Sequence, residues 1–254
     1  MKNNSECDLI VADERSPYMH QALEQVLTEE VASGNRNPTI RFWEDAEENV
    51  MLGRFQSVEN EVWTERVERD GVKICRRITG GGAMYTEPRS QITYSLYLPE
   101  EMVESDSIKD SYSELDEFAV EGLKDLGYDV YYEPVNDICT SCGKVGGAAQ
   151  TRFAGAVLHH TRLAYDLDPE KMVNYLRIGE EKMSDKAVKS AERAVDPLKV
   201  QNPNIERDKV LENLLGSLSD YCDFKKSKIK DKELKKAEKL VSEKFGAEEW
   251  IYRY

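Results

Sequence analysis

An arginine pair and a glycine triplet lie close together in the first half of the chain. Arg76 and Arg77 close a strand-like run, and Gly80, Gly81 and Gly82 follow them. Because glycine has no Cβ, such a loop can bring backbone N–H groups close to an anionic or acyl ligand, and a guanidinium beside it supplies a fixed positive charge. The stretch therefore predicts a binding loop for such a ligand. The alternative is a tight hairpin with solvated arginines.

Two familiar phosphate-binding motifs do not fit this loop. No Gly-Lys-Ser or Gly-Lys-Thr follows the glycines, so the loop is not a Walker loop. The glycines are consecutive and lead into a strand, so the loop is not the dinucleotide fingerprint either. A phosphate site here must be of another kind.

A lysine and an Asn-Asp pair form a second candidate constellation. Lys144 lies on a strand-like run flanked by glycines, shortly after Asn136 and Asp137. Its ammonium group could neutralise the charge that develops when a carboxylate attacks a phosphate. The alternative is a solvated lysine, which is the ordinary state of a lysine at a hairpin.

Two further pairs of residues carry chemically active groups. His159 and His160 lie on a predicted strand, where neighbours point to opposite faces, so at most one enters a site and they do not share a metal ion. The inward histidine is either a core residue or a site residue. Cys139 and Cys142 form a CxxC pattern in a hairpin, without a second pair to complete a zinc site. We interpret them as ordinary thiols, with a nucleophilic role for one of them as the alternative.

Short strands and longer helices must position these residues. Helices are predicted from the Ser16-Pro17 cap and at about 58–70, 106–126, 169–176, 207–218 and 231–245. Strands are predicted at about 40–43, 49–52, 72–75, 92–98, 128–133, 137–139, 156–167 and from 144 onward. The glycine loop then bridges two strands. In the helix at 106–126, Ile108 and Leu115 are predicted to face inward.

Length, charge and cysteine content limit the class of protein. The 254 residues suit one large domain, or a main domain with a small appendage. The formal charge of −14 argues against a generic binder of nucleic acid or of an anionic membrane. Neither a membrane span nor a signal-peptide core is evident, so we expect a cytoplasmic protein. The five scattered cysteines are expected to be reduced.

Four separated stretches resemble, in the same order, the lipoate–protein ligases of the biotin/lipoate protein ligase superfamily. They are the helix with Ala22-Leu23-Glu24, WEDAEENVMLGRFQ at 43–56, RRITGGGAMYT at 76–86, and NDICTSCGKVGGAAQTRFAGAVLHH at 136–160. The resemblance implies an α/β (α+β) fold with a mixed β-sheet core flanked by helices. It implies a catalytic acyl-adenylate domain at 1–182, and a mostly helical segment at 183–254 that completes the same domain.

The resemblance also implies an activity. Lipoate and ATP would give lipoyl-AMP and pyrophosphate, with Mg²⁺ screening the phosphate charge. The lipoyl group would then pass to a lysine of a lipoyl-domain acceptor protein, such as the glycine cleavage H protein or a 2-oxoacid dehydrogenase acyltransferase subunit. Because the acyl group is stored as a mixed anhydride, formation of the amide bond is energetically favourable. The site must shield the anhydride from water.

Individual residues match the functional positions of the family. Lys144 matches the catalytic lysine that contacts the acyl carbonyl and the α-phosphate in both steps. ATP and lipoyl-AMP would contact Arg77, Gly80, Gly81, Gly82, Ala83, Met84, Tyr85, Asn136, Asp137 and Lys144. The lipoyl pocket would include Gly147, Ala149 and His160, and Asp137 would hold the Mg²⁺.

The sequence departs from the family pattern at two places. Thr86-Glu87-Pro88 follows GGGAMY where His-Asp is usual, which affects how the loop is anchored. Thr161-Arg162 follows His160 where Gly-Thr is common, which indicates a distinct subgroup or an altered acyl preference. The ending EKFGAEEWIYRY resembles the end of the family's catalytic domain. We therefore expect the accessory domain of some ligases to be absent or on a separate polypeptide.

Three alternatives remain open. The first is an octanoyl or lipoyl transferase that uses a cysteine nucleophile and no ATP, although residues 129–131, where one transferase branch has its cysteine, contain none. The second is a biotin ligase, whose phosphate loop alternates arginine and glycine and differs from RRITGGGA. The third is a non-enzymatic lipoyl-domain-binding protein, which the retained Arg77, glycines and Lys144 argue against.

Overall fold

The computed structural model of the protein describes residues 6–105, 107–177 and 195–254. The strands there are β1 (Cys7–Arg15), β2 (Thr39–Asp45), β3 (Asn49–Leu52), β4 (Lys73–Arg76), β5 (Met84–Thr86), β6 (Gln91–Pro99), β7 (Tyr131–Glu133), β8 (Asp137–Cys139), β9 (Lys144–Phe153), β10 (Ala156–Ala164) and β11 (Phe224–Lys226). The helices there are α1 (Pro17–Ala32), α2 (Val58–Glu61), α3 (Thr64–Asp70), α4 (Ile108–Asp125), α5 (Pro169–Tyr175), α6 (Leu198–Gln201), α7 (Arg207–Leu218), α8 (Asp231–Leu240) and α9 (Glu248–Ile251).

Most strands join in one mixed sheet. Its order is β11-β1-β2-β6-β10-β9-β8-β7; β1 runs parallel to β11 and β2, and the remaining neighbours are antiparallel. A second sheet of three strands has the order β4-β3-β5 and is also mixed. The predicted α/β (α+β) fold with a mixed β-sheet core flanked by helices is confirmed.

Helices cover both faces of the main sheet. On one face α4 contributes Leu115 and Phe118 to the core, and α7 packs beside it. On the other face α1 contributes Leu23 and α8 contributes Ala237. The small sheet has its own core with α2, α3 and α5, which also includes Ala164 at the end of β10. The small sheet therefore packs on the main sheet where β10 ends.

The two longest helices begin at serine caps, because a serine hydroxyl can accept from an otherwise unpaired N–H of the first turn. Ser16 Oγ accepts from the backbone N–H of Met19 at 3.3 Å, and Ser107 Oγ accepts from that of Asp110 at 3.0 Å. The prediction that Ile108 faces inward is wrong, since this residue in the first turn of α4 is 60% exposed. In the part of the chain that the structure describes, no helix combines the length and apolar character needed to cross a membrane.

Two short elements differ from the sequence prediction. The predicted helix at 58–70 is divided into α2 and α3, because Val62 is completely buried and bridges Leu176 in extended backbone. The glycine loop leads first into β5 of the small sheet, a strand of three residues that was not predicted. In both cases contacts with distant segments outweigh the local pattern.

The described C-terminal residues pack on the same sheet as the N-terminal half. Strand β11, which pairs in parallel with β1, is an exception to the predicted helical character of this segment. The guanidinium of Arg36 donates to Glu233 Oε2 at 2.6 Å, and both side chains are completely buried. The predicted boundary between residues 182 and 183 lies outside the described residues.

Arg76 joins three segments of the chain through its buried guanidinium group. It donates to the carbonyl oxygens of Gly53 and Gln56 at 2.9 and 2.6 Å, and to that of Ile251 at 2.6 Å. The alternative of a solvated arginine is wrong here, because these carbonyl groups replace water around the cation. Arg76 therefore fixes the C-terminal helix α9 against the segment that follows β3.

Replacing Arg76 tests this contribution to stability. Arg76→Met leaves several buried carbonyl groups without a donor and is expected to lower the free energy of unfolding by about 3 kcal/mol. Arg69→Met is the control, because Arg69 is exposed and its charge pairs with the adjacent Asp70, so its removal is expected to change nothing measurable. Urea unfolding measures the free energy of unfolding of both variants. Equal stability of the two would contradict the stabilising role assigned to Arg76.

Candidate active site

A cavity of about 190 Å³ lies between strands β9 and β10 of the main sheet and the loop between β4 and β5. Eleven of the predicted site residues line it: Arg77, Gly81, Gly82, Ala83, Met84, Tyr85, Asn136, Lys144, Gly147, Ala149 and His160. Gly80 and Asp137 lie behind this lining, where they contact Arg77 and Lys144 respectively. Residues from distant parts of the sequence thus converge on one concave surface.

The loop of residues 77–83, here the glycine loop, is held from inside by Arg77. The Nη2 atom of Arg77 donates to the carbonyl oxygens of Gly80 and Gly82, each at 2.8 Å. Gly81 has φ of +96°, and a Cβ on Gly53 would lie 2.0 Å from the Gly81 oxygen, so both positions require glycine. The alternative of a hairpin with solvated arginines is therefore wrong.

The Arg77 guanidinium is almost completely buried. Burial, and secondly the charge of Arg162, lower the pKa of Arg77 to about 10. The group therefore stays protonated near neutral pH. Because water screens this buried charge only weakly, it contributes a positive potential to the cavity. Such a charge favours an anionic ligand.

Lys144 begins β9, and its ammonium group lies over the backbone of Gly147. Its Nζ is 2.8 Å from Oδ1 of Asp137, and its side chain is only 22% exposed. A Cβ on Gly147 would come within 2.7 Å of that Nζ, so the bare backbone makes room for the lysine. Asn136 fixes the preceding turn by donating to the Ala148 carbonyl oxygen at 2.6 Å. The alternative of an ordinary solvated lysine does not hold.

His160 points toward the cavity from β10. Its Nδ1 is 2.8 Å from Glu24 Oε2, and its Nε2 is 2.9 Å from Thr79 Oγ1 of the glycine loop. Burial lowers the pKa of His160, so the ring is neutral and donates from Nδ1 to the carboxylate. Although burial raises the pKa of Glu24, the hydrogen bond from His160 and the charge of Arg41 hold it below its ordinary value.

The neighbouring histidine lies on the opposite face of the strand. His159 Nε2 is 2.8 Å from Asp116 Oδ1, in a buried cluster with Thr161 and Tyr94. The prediction that only one of the two histidines enters the site is confirmed. The buried His159 is the structural member of the pair.

Arg162 was not predicted as a binding residue, although its position was identified as a departure from the family pattern. Its Nη1 donates to Asp45 Oδ2 at 2.8 Å, Gln91 Oε1 at 3.1 Å and Thr86 Oγ1 at 3.2 Å. Thr86 is the other departure, so the two unusual residues contact each other. The strand period of two could have placed Arg162 beside His160 in the cavity, but not its three partners.

An apolar shelf at the other end of the cavity was also not predicted. It consists of Ala164, Leu167, Met172 and Leu176. These residues come from the end of β10 and from the region of α5, and face the glycine loop near Ala83. A planar, weakly polar group such as a nucleotide base suits this combination of apolar side chains and bare backbone.

The structure allows the predicted magnesium site but does not test it. In residues 6–105, 107–177 and 195–254, no group of three or more histidine, cysteine or acidic side chains is arranged to hold a metal ion. Mg²⁺ commonly takes one or two carboxylates and completes its shell with phosphate oxygens and water. Asp137 beside the cavity fits that pattern, in which it would share its carboxylate with Lys144.

The family model of the lipoyl protein ligase A/B catalytic domain matches residues 16–219. This span includes the glycine loop, Lys144 and His160. The chain therefore belongs to this family, and its predicted place in the biotin/lipoate protein ligase superfamily is confirmed.

Two curated relatives represent different reactions. The probable lipoate-protein ligase A of Mycoplasma pneumoniae is 28% identical over 244 residues, covering 96% of this chain and 70% of the relative. The octanoyltransferase LipM of Staphylococcus epidermidis is 24% identical over 266 residues, covering 94% of this chain and 95% of the relative. The chain is thus an enzyme of the ligase and transferase family, and these identities alone do not choose between the two reactions.

Solved structures share the whole fold. One from Thermoplasma acidophilum, described as a bi-partite lipoate protein ligase and its E2 lipoyl domain, has a TM-score of 0.83 and 26% identity, covering 98% of this chain and 96% of that chain. A lipoate-protein ligase A bound with ATP has a TM-score of 0.82 and 24% identity, covering 97% of this chain and 98% of that chain. The mixed sheet and its helices are thus the architecture of this family.

The buried histidines make stability depend on pH. Burial lowers the pKa of His20 and of His160 from about 6.5, so both are neutral when folded. Below pH 6.5 the unfolded chain takes up protons that the folded chain does not. The free energy of unfolding is therefore expected to fall as the pH falls, by at most about 1.4 kcal/mol per pH unit for each histidine.

Urea unfolding at pH 7.5, 6.5 and 5.5 measures this dependence above the range of most carboxyl groups. His160→Gln is expected to reduce the slope, since one of the two groups no longer titrates. A slope that is zero in the parent, or equal in parent and variant, would contradict the neutral state of His160.

Proposed function

We propose that the protein is an ATP-dependent lipoate–protein ligase that forms lipoyl-AMP and transfers the lipoyl group to a lysine of a lipoyl-domain acceptor. One observation carries the proposal: the Lys144 ammonium and the backbone of the glycine loop line the same cavity. An acid and a triphosphate both need positive charge, and the cavity supplies it through Arg77, Lys144 and Arg162 on a chain whose net charge is −14.

The first step joins the acid to the α-phosphate. The nucleotide base would lie between the apolar shelf and the backbone of Ala83, Met84 and Tyr85, with its phosphates along Gly81 and Gly82. A carboxylate oxygen would attack the α-phosphorus, the bond from this phosphorus to the bridging oxygen would break, and pyrophosphate would leave. Lys144 would donate hydrogen bonds to the carboxylate and the α-phosphate and so reduce their repulsion.

The second step transfers the acyl group. The amine of the acceptor lysine would attack the acyl carbonyl carbon, the bond from this carbon to the phosphate oxygen would break, AMP would leave, and the amine would lose a proton. Lys144 would again contact the carbonyl oxygen, where negative charge develops. Mg²⁺, when bound by Asp137 and the phosphates, supplies charge screening for the first step.

The positions of the cysteines favour the ligase over a cysteine-dependent transferase. The described lining of the cavity contains none of the five cysteines. Cys75 is buried beside Asn49, and burial raises the pKa of its thiol far above neutral pH. Cys139 is buried and Cys142 lies exposed on the hairpin. A nucleophile must reach the acyl carbon as a thiolate, which these positions do not favour.

The proposed partners are lipoyl-domain acceptors, with a separate accessory protein as a further requirement for activating free lipoate. The Thermoplasma acidophilum ligase, described as bi-partite and together with an E2 lipoyl domain, supports both. An acceptor such as the glycine cleavage H protein, or a 2-oxoacid dehydrogenase acyltransferase subunit, presents its lysine on a folded domain. We place this reaction in the cytoplasm.

Replacing Lys144 tests the proposal. Lys144→Ala is expected to reduce acceptor lipoylation at least about 100-fold, because it removes the donor to both charged groups. Mass spectrometry of an acceptor domain incubated with ATP, Mg²⁺ and lipoate measures the product, with and without a candidate accessory protein. Lys199→Ala is the matched control, since this lysine lies outside the cavity and pairs with Asp166. Lipoylation unaffected by loss of Lys144, or absent from the parent in every mixture, would refute the proposal.

A double cysteine variant separates the ligase from the transferase. Cys139→Ser with Cys142→Ser is expected to retain lipoylation that depends on ATP, because neither sulfur lies in the cavity lining. The same acceptor assay is run with octanoate, lipoate or biotin as the acid, and without ATP. Loss of activity with intact folding, or acyl transfer that needs no ATP, would favour the cysteine mechanism.

A further inference from the structure

The lining residues on the side of the cavity away from Lys144 are here called the inner arm. Its walls are Trp43, Met51, Gln91, His160 and Arg162, all of them buried. Trp43 lies on β2, three strands from the β9 strand of Lys144, which corresponds to ~14 Å across the sheet. If Lys144 holds the carboxyl group of the acid, as the proposed function requires, the remainder of the acyl chain lies in this arm.

Arg162 is fixed at the wall of the inner arm. Its Nη1 is occupied by Asp45, Gln91 and Thr86, and its guanidinium lies 4.7 Å from the centre of the Trp43 ring. These partners come from β2, β5 and β6, so the arginine cannot turn away without leaving the Asp45 carboxylate unpaired in the protein interior. A charged group therefore stays at a place that receives an acyl chain.

The second terminal nitrogen of the guanidinium, Nη2, faces the sulfur atom of Met51. Arg162 Nη2 donates to Met51 Sδ at 3.8 Å, and Gln21 Nε2 donates to the same sulfur at 3.5 Å. A thioether is a weak acceptor, so this contact leaves Nη2 with capacity for a further polarizable partner. Two N–H donors are thus directed at one sulfur atom of the inner arm, one from Arg162 in its wall and one from the buried Gln21.

We propose that Arg162 determines acyl specificity, favouring a chain that ends in a sulfur-containing ring over a saturated hydrocarbon chain. This proposal rests on the proposed function. The hydrocarbon end of an octanoyl chain would displace water from the guanidinium without offering a hydrogen-bond acceptor in its place. Loss of an acceptor is unfavourable for a buried donor. The sulfur atoms of a lipoyl ring are polarizable and can accept weak hydrogen bonds, as the Met51 sulfur does in the wall of the inner arm. The protein therefore selects lipoate over octanoate.

A competition experiment tests the selection. The protein, ATP, Mg²⁺, an acceptor domain and the candidate accessory protein are incubated with equal concentrations of lipoate and octanoate, and mass spectrometry gives the ratio of the two products. The parent is expected to favour the lipoyl product. Arg162→Lys, which keeps a charge for Asp45 but loses the second nitrogen, is expected to lower that ratio about tenfold. The double variant Asp45→Asn with Arg162→Met, which leaves no buried charge unpaired, is expected to do the same.

Arg177→Met is the matched control. Arg177 lines the cavity but lies over Trp63 at 4.2 Å, away from the inner arm, so its loss is expected to leave the product ratio unchanged. An unchanged ratio in both Arg162 variants, or an equal fall in the Arg177 variant, would overturn the proposal.

Calorimetric titration with lipoate or octanoate, without ATP, separates the two proposals. A parent protein that binds lipoate but transfers nothing in any mixture, with or without the accessory protein, refutes the ligase. The change in relative affinity for the two acids on Arg162 substitution then tests the specificity by itself. A parent that binds both acids equally, or neither, overturns the role of Arg162.

Discussion

The site depends on the buried guanidinium of Arg77. Its hydrogen-bond partners in the described chain are backbone carbonyl oxygens, among them those of Gly80 and Gly82. Because carbonyl dipoles satisfy the donors without neutralising the charge, Arg77 both shapes the loop and leaves positive potential at the cavity. The close approach of Gly53 to the Gly81 oxygen fixes the loop from the other side. Without this support the glycine backbone would have no defined conformation to present to a ligand.

Charge is distributed unevenly over the molecule. The chain has a formal charge of −14, yet Arg77, Lys144 and Arg162 line one cavity. Lys144 and Arg162 each have a carboxylate partner, Asp137 at 2.8 Å and Asp45 at 2.8 Å, which stabilises these cations before any ligand binds. Under the proposed function, two anionic substrates meet in this space, where their mutual repulsion is offset. The family's chemistry is thus compatible with an acidic surface.

The sequence predicted the fold and eleven residues of the cavity lining, because both follow from local patterns and from a family resemblance. The cap at Ser16, the strand of His159 and His160, and the glycine loop are examples. The partners of Arg162 were not predictable, since Asp45, Thr86 and Gln91 come from three strands that meet only in the folded sheet. The division of the helix at 58–70 and the short strand β11 were also not predicted, because tertiary contacts determine both.

A crystal structure with bound lipoyl-AMP is the most direct test of the account. We expect the Nζ of Lys144 at roughly 3 Å from an oxygen of the phosphate or the acyl carbonyl, a hydrogen-bond distance. We also expect the adenine beside the backbone of Ala83 to Tyr85. Lipoyl-AMP bound elsewhere, or bound here with Lys144 still directed only at Asp137 and away from the reacting atoms, would contradict the central claim.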